Sequence, residues 1–138
     1  MKKESVKFKL FVIEDNRTEG MLLQLALSEI PKLEITTFPN AKEMLNNLHK
    51  DPDIAIVDLN LPDISGMELI KRIKAYNEDI RIVVVSAQRD IDVLAQVQAE
   101  GVYNYLVKSE ACLSYLNKVI EDLLIVIQYK KIDKINPL

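Results

Sequence analysis

Acidic, hydroxyl and basic side chains follow the apolar segments of this 138-residue chain at points where they could act together. Glu14 and Asp15 follow the first apolar segment, Asp58 lies near the end of the third, Ser86 follows the fourth, and Lys108 follows the fifth. Two like charges about 4 Å apart repel by roughly 4 kcal/mol at an effective dielectric constant of 20. If the segments are neighbouring strands, a cation must offset the repulsion between the three carboxylates.

The chemistry that suits this set of groups is phosphoryl transfer to an aspartate. A hard divalent cation, Mg²⁺ by preference, binds carboxylate and backbone carbonyl oxygens and retains waters. With the metal bound, Asp58 could attack a phosphoryl donor in line, because the metal neutralises charge on the transferring oxygens. Ser86 and Lys108 would then bind the new phosphoryl oxygens, one by a hydrogen bond and the other by charge.

Five apolar runs of strand length must position these groups. The first, third and fourth are continuous rather than alternating, which is typical of strands covered on both faces in a parallel sheet, and the more polar second run should be an edge strand. The segments between them have a helical period, so the pattern predicts a doubly wound α/β domain. The predicted strands cover residues 9–13, 33–38, 54–59, 82–85 and 102–107.

Capping residues fall at the boundaries that this scheme requires. Asn16 can cap the first helix and Asn40 the second, while Ser65, with Glu68 three residues later, forms a capping box for the third. Gly101 follows the fourth helix, where a left-handed C-cap belongs. The boundaries therefore agree with the alternation of strands and helices.

Composition narrows the class of protein. The single cysteine excludes an intrachain disulfide and fits a reducing compartment, and no apolar run approaches the length of a membrane span. A net charge of −3 weighs against a nucleic-acid backbone as the main partner. We expect a soluble, cytoplasmic protein that binds neither membrane nor nucleic acid directly.

Four segments, in order and spacing, resemble the signature of response-regulator receiver domains, and the match covers about residues 8–127. The resemblance implies an α/β, flavodoxin-like (βα)5 fold whose five-stranded parallel sheet has the strand order 2-1-3-4-5. The segments are LFVIEDN at 10–16, IVDLNLPDISG at 56–66, VVSA at 84–87 and GVYNYLVK at 101–108.

The same resemblance assigns roles to individual residues. Asp58 is the expected phosphoacceptor, with Ser86 at the family's hydroxyl switch position, Tyr105 at its rotating aromatic residue and Lys108 at its lysine. The expected Mg²⁺ ligands are the carboxylates of Glu14, Asp15 and Asp58 and the backbone carbonyl of Asn60.

The resemblance also implies a signalling role rather than classical enzyme activity, with self-phosphorylation and autodephosphorylation as the only reactions. A histidine kinase or phosphotransfer protein is the expected donor. Phosphorylation is expected to change the surface of the fourth helix, fifth strand and fifth helix, and that surface would bind a downstream protein or a second copy of the chain.

The C-terminal part departs from the usual pattern in two ways. Ser109 follows the lysine where most receivers have proline, and it can cap the last helix instead. That helix has apolar residues on more than one face, so part of the run 123–127 must point outward. We expect a receiver domain over 1–128 and a tail or linker stub, with no output domain, over 129–138.

Two other classes of protein share parts of this pattern. A flavodoxin-like cofactor-binding protein should have a Ser/Thr/Gly-rich phosphate loop after the first strand, but the chain is acidic there. A hydrolase with Asp58 as nucleophile would need a second acid nearby as general acid or base, and the residue two positions on, Asn60, is an amide.

Overall fold

Five strands and five α-helices alternate in the computed structural model, which describes residues 7–109 and 111–135, with only the backbone over 131–135. The strands are β1 (Phe8–Ile13), β2 (Leu33–Phe38), β3 (Ile54–Val57), β4 (Arg81–Ser86) and β5 (Asn104–Val107). The helices are α1 (Arg17–Leu27), α2 (Ala41–Asn46), α3 (Gly66–Tyr76), α4 (Ile91–Ala99) and α5 (Cys112–Ile135), and a 3₁₀ turn (Leu48–Lys50) follows α2.

All the strands pair in parallel, in the order β2-β1-β3-β4-β5, which confirms the predicted sheet. The β3 strand is buried along its whole length, whereas β2 is a half-exposed edge strand. Strand order reverses between β1 and β3, because β2 lies outside β1. Loops at the carboxyl ends of β1 and β3 diverge to opposite faces of such a sheet and leave a crevice there.

Two apolar layers cover the two faces of the sheet. Successive side chains of β1 alternate between them, as the pleat requires. One layer joins the sheet to α1 and α5, and its members include Leu10, Val12, Leu27, Ile54, Ile56, Leu116, Ile120 and Leu123. The other joins it to α2, α3 and α4, and its members include Phe11, Ile13, Met44, Ala55, Val57, Ile70, Ile73 and Val97.

The predicted caps start three of the helices. The side chains of Asn16, Asn40 and Ser65 each accept a hydrogen bond from the backbone N–H three residues later, at 3.1, 2.9 and 3.1 Å. Gly101 has φ +85°, in the left-handed region that a C-terminal glycine supplies. The helix boundaries that the sequence predicts are therefore correct at these points.

Two predicted strand boundaries were wrong by two residues, and three more, the start of β1 and both ends of β4, were wrong by one residue. The β3 strand ends at Val57 rather than at residue 59, because the chain turns at Asp58, whose carboxylate accepts the N–H of Asn60. The β5 strand begins at Asn104 rather than at residue 102, because the turn at Gly101 leaves only the Tyr103 N–H bonded to β4 before the ladder starts.

The last helix has the two-sided apolar character that the sequence predicts. Leu123 and Ile127 pack in the core, whereas Ile125 lies 64% exposed on the outer side. The helix continues through Ile135, so its backbone crosses the predicted boundary between 128 and 129, and that division of the chain stays a prediction. Within the described part of the chain, no helix has the length and apolar character needed to cross a membrane.

Gly66 should tolerate no side chain, because an added Cβ would lie 2.4 Å from the Leu59 Cα and 2.7 Å from the Asp58 carbonyl oxygen. We expect Gly66→Ala to lower the free energy of unfolding by about 3 kcal/mol, as overpacking against backbone does. Gly20→Ala is the matched control, since its Cβ would meet only Glu14 at 3.7 Å and alanine favours the helix. Urea denaturation followed by circular dichroism measures both, and equal stability of Gly66→Ala and the native chain would contradict the close approach.

Candidate functional site

The three predicted site carboxylates meet at the crevice between β1 and β3. Glu14 and Asp15 follow the end of β1, and Asp58 follows the end of the neighbouring strand β3. One carboxylate oxygen from each residue lies within 4.8 Å of the others. Glu14 and Asp58 are buried, whereas Asp15 is exposed, so the cluster opens to solvent on the Asp15 side.

The ammonium of Lys108 is the cation that this cluster contacts. Its Nζ lies 2.8 Å from Asp58 Oδ2, 3.1 Å from Glu14 Oε2 and 2.7 Å from Glu19 Oε2. An ammonium has three donors, and these three carboxylates accept all of them. Lys108 follows the end of β5 and therefore joins this distant strand to the ends of β1 and β3.

The local environment shifts the pKa of two of these groups in the same direction. Burial raises the pKa of Glu14, and the hydrogen bonds from Lys108 and the Asn16 N–H offset that only in part. For Lys108, burial alone would lower the pKa, but the hydrogen bonds to Asp58, Glu19 and Glu14 raise it above its ordinary value. Lys108 is therefore fully charged at neutral pH, while an ionised Glu14 is disfavoured by its surroundings.

The donor atoms of the cluster suit a hard divalent cation. Glu14, Asp15 and Asp58 offer only oxygen, and Mg²⁺ binds through one or two carboxylates while it keeps several waters. The exposed side of the cluster leads into a cleft that Asp15 shares with Asn60 and other residues of the loop from Asp58 to Gly66. The Asn60 N–H donates to Asp58 Oδ1 at 3.1 Å, which holds the Asn60 backbone beside the carboxylate.

Ser86 and Tyr105 lie next to each other behind the cluster. Ser86 is the last residue of β4, is fully buried, and accepts the Gln88 N–H at 3.3 Å through Oγ. The half-buried Tyr105 donates its hydroxyl to the Gln88 carbonyl at 2.9 Å. Burial raises the pKa of Tyr105, the nearby Ser86 hydroxyl lowers it, and the charge of Asp58 raises it further. The segment from Ser86 to Gln88 thus links the site to Tyr105.

Glu19 is a further member of the site that was not predicted from the sequence. Its N–H is capped by Asn16, so the first turn of α1 presents the Glu19 side chain to Lys108 across the crevice. The spacing from Asn16 to Glu19 has the form of a capping box and could have drawn attention to this residue. The contact with Lys108, 89 residues away in sequence, has no signal of its own.

An apolar cavity of about 160 Å³ opens beside Lys108, between α1 and the start of α5. Glu14, Glu19, Lys108 and Ser109 supply its polar rim. Cys112, buried at the start of α5, lines it as a small apolar residue. Its other apolar walls are Leu22, Leu23, Val85 and Leu113.

The fold and site define an α/β domain with a carboxylate cluster at the carboxyl ends of its parallel strands, and comparison with known proteins identifies the family. A family model described as the response regulator receiver domain matches residues 10–120. The chain therefore belongs to the response regulator receiver family of two-component systems. Receiver domains are signalling domains rather than classical enzymes, as the resemblance implies. They interact with histidine kinases and downstream effectors.

Relatives and solved structures agree with this assignment. The chain is 30% identical over 100 residues to the DNA-binding transcriptional regulator NtrC of Escherichia coli and 34% identical over 101 residues to KdpE of Staphylococcus aureus. These matches cover 72% of this chain but only 21% and 43% of the relatives, so the chain spans a fraction of their length.

The similar structures show the fold. The receiver domain of a putative Luxo repressor protein from Vibrio parahaemolyticus has a TM-score of 0.85 at 16% identity, covering 92% of this chain and 97% of that one. A CheY-like receiver domain protein from Methanospirillum hungatei has a TM-score of 0.78 at 20% identity, covering 92% and 99%. The predicted flavodoxin-like receiver fold is therefore confirmed.

The raised pKa of Glu14 gives a prediction for metal-free buffer. A carboxyl group whose pKa is raised on folding favours the folded state below its unfolded pKa and loses that advantage as pH rises through the folded pKa. We therefore expect Glu14→Gln to be more stable than the native chain at pH 7, and we expect the gain to vanish as the pH falls below the unfolded pKa. Urea denaturation at a series of pH values measures it.

Glu19→Gln is the matched control for this prediction. Glu19 contacts the same Lys108, but its side chain is 45% exposed, compared with 3% for Glu14. Removing an exposed charge should change the free energy of unfolding by less than about 0.5 kcal/mol at any pH. A Glu14→Gln variant that is less stable than the native chain at pH 7 would contradict the argument from burial.

Proposed function

We propose that this receiver domain accepts a phosphoryl group on Asp58 in a Mg²⁺-dependent reaction. The observation that carries the proposal is the position of Asp58, whose carboxylate meets those of Glu14 and Asp15 on one side and lies 2.8 Å from Lys108 on the other. A buried aspartate in contact with both a cation-binding oxygen set and an ammonium is placed to act as a nucleophile toward an anion.

The residues of the site have distinct roles in this reaction. The Asn60 N–H and the Lys108 ammonium hold the two oxygens of Asp58 in one orientation. An Asp58 oxygen forms the new bond to phosphorus as the bond between phosphorus and the donor's leaving group breaks. Glu14, Asp15, Asp58 and the Asn60 carbonyl would hold Mg²⁺, which neutralises charge on the transferring phosphoryl oxygens. Lys108 and Ser86 would then bind the phosphoryl oxygens of the product.

A phosphoryl group on Asp58 would draw Ser86 toward it and so disturb the segment that Tyr105 contacts. Tyr105 bonds the Gln88 carbonyl, so movement of this segment changes the packing of Tyr105 and the surface around β5. That surface, formed by α4, β5 and α5, carries exposed apolar residues that suit binding of a downstream protein or a second copy of the chain. They include Ile91, Tyr103 and Tyr115.

The donor protein is proposed to approach along α1. Met21, Leu22 and Leu25 are exposed there, although they follow a helical period, and Leu22 lines the cavity that reaches Lys108. Exposed apolar side chains beside a reactive site favour docking of another protein. A histidine kinase or phosphotransfer protein would therefore reach Asp58 from the α1 side and leave the surface of α4, β5 and α5 free.

Incubation with Mg²⁺ and acetyl phosphate, followed by intact mass measurement, tests phosphorylation directly. We expect the native chain to gain the mass of one phosphoryl group and Asp58→Asn to gain none, because the amide lacks the nucleophilic oxygen. Asp51→Asn is the matched control, since Asp51 is exposed at the other end of β3 and has a left-handed conformation that asparagine accepts. No mass gain with the native chain, or an equal gain with Asp58→Asn, would contradict the proposal.

Removal of the Ser86 hydroxyl should leave phosphorylation of Asp58 intact but reduce its effect on Tyr105. We expect Ser86→Ala to gain the same mass but to show at least a several-fold smaller response at Tyr105, because the phosphoryl group then has no hydroxyl to draw inward. Amide chemical shifts of β5 and the Gln88 segment, recorded with and without acetyl phosphate, measure the response. Shifts as large as in the native chain would contradict a switch role for Ser86.

A further inference from the structure

Asp63 joins the loop that follows Asp58 to the start of a different helix. One of its carboxylate oxygens accepts the Ala41 N–H at 3.2 Å, and the other accepts the Lys42 N–H at 2.8 Å. These are the first two N–H groups of α2, which have no partner inside the helix. A side chain 22 residues further along the chain therefore caps this helix.

The loop from Asp58 to Gly66 forms one wall of the cleft beside the carboxylates. It carries Asn60, whose backbone is a proposed metal ligand, and it shares the cleft with Asp15. At its far end, the Gly66 N–H donates to the Leu59 carbonyl at 3.0 Å, which closes the base of the loop. Asp63 lies in the outer part of the loop, and its carboxylate connects that part to α2.

The start of α2 does not need Asp63 in order to be capped. Asn40 already accepts the Glu43 N–H at 2.9 Å from the ordinary capping position. Asp63 adds bonds to the two preceding N–H groups, those of Ala41 and Lys42, and these bonds connect the loop after β3 to α2. Through these bonds, the loop beside the crevice contacts α2, the helix that follows the edge strand β2.

The charge of Asp63 suits this arrangement. Slight burial would raise its pKa, but the hydrogen bonds from the Lys42 and Ala41 N–H groups lower the pKa below its ordinary value. The carboxylate is therefore ionised at neutral pH, and two charge-assisted hydrogen bonds hold it. The positive end of the helix dipole adds to the attraction.

We propose that Asp63 is a positioning residue for the metal site, because it ties the Asn60 loop to α2 and so holds the Asn60 carbonyl where Mg²⁺ can bind it. The inference rests on the proposed function, since it assumes that the cation binds at Glu14, Asp15, Asp58 and Asn60. It adds that cation binding and the first turn of α2 are coupled. By linkage, a cation that favours the tied loop must also strengthen the contact with α2.

Two variants that remove different caps from the same helix test this proposal. Asp63→Ala removes the tie between loop and helix, whereas Asn40→Ala removes a cap that does not touch the loop. Both should lower the melting temperature by a few degrees, because each removes a cap. Only Asp63→Ala should weaken Mg²⁺ binding, by about tenfold, which is typical for loss of a group that orients a metal ligand. Calorimetric titration of the full chain with MgCl₂ measures the affinity.

Hydrogen exchange gives a second readout that a purely structural role would not change. In the native chain, Mg²⁺ should slow exchange of the Ala41 and Lys42 amides, and in Asn40→Ala it should still do so. In Asp63→Ala, Mg²⁺ should leave these amides unaffected. Asp63→Asn, which keeps one carbonyl acceptor, should fall between the native chain and Asp63→Ala in Mg²⁺ affinity.

The outcomes distinguish this inference from the proposed function. If the native chain binds Mg²⁺ and Asp63→Ala binds it as tightly as Asn40→Ala does, the positioning role is wrong and the metal site stands. If the native chain shows no Mg²⁺ binding, the metal site of the proposed function is wrong, and the positioning role falls with it.

Discussion

The contact between Lys108 and three carboxylates is the interaction on which the geometry of the site depends. Glu14, Glu19 and Asp58 lie within hydrogen-bond distance of one ammonium, and Asp15 lies beside them without a contact to it. Such a cluster is not favourable in itself, because four carboxylates face one cation and two of them are buried. It exists because the sheet brings its strand ends to one edge.

Burial of apolar side chains on the two faces of the sheet supplies the free energy that holds the strand ends in place. The β1, β3 and β4 strands are apolar along nearly their whole length, and both faces of the sheet are covered by helices. Burial of apolar side chains stabilises by about 1.5 to 3 kcal/mol each, so a core of this kind outweighs the repulsion at one edge. The stability of the fold therefore does not fix which residues occupy the site, and their chemistry can.

Much of this arrangement could be predicted from sequence, because it depends on short-range patterns. Continuous apolar runs indicate buried parallel strands, and Asn16, Asn40 and Ser65 cap helices through bonds to residues three positions away. The fold follows from these elements and the handedness of their connections. Residues at the ends of β1, β3, β4 and β5 are then brought together by topology alone.

The contacts of Glu19 and Asp63 could not be predicted in this way. Each joins groups that are far apart in sequence, Glu19 to Lys108 and Asp63 to the start of α2, and each depends on the path of a loop or the first turn of a helix. The same limit applies to the exposed side of α1, where Leu22 and Leu25 fit a helical period that normally indicates burial. A period shows which residues share a face, but not whether another element covers that face.

The imbalance of charge at the crevice explains why such a site can respond to ligands. One ammonium faces four carboxylates. Lys108 donates one hydrogen bond to each of three of them, so its single positive charge does not neutralise their negative charges. A divalent cation bound to Glu14, Asp15 and Asp58 would neutralise part of the carboxylate charge that Lys108 offsets. A phosphoryl group on Asp58 would give Lys108 new oxygens to bind. Lys108, Ser86 and Tyr105 are linked through the ends of β4 and β5, so under the proposed function a change in the partners of Lys108 would reach the outer surface without any change in the core.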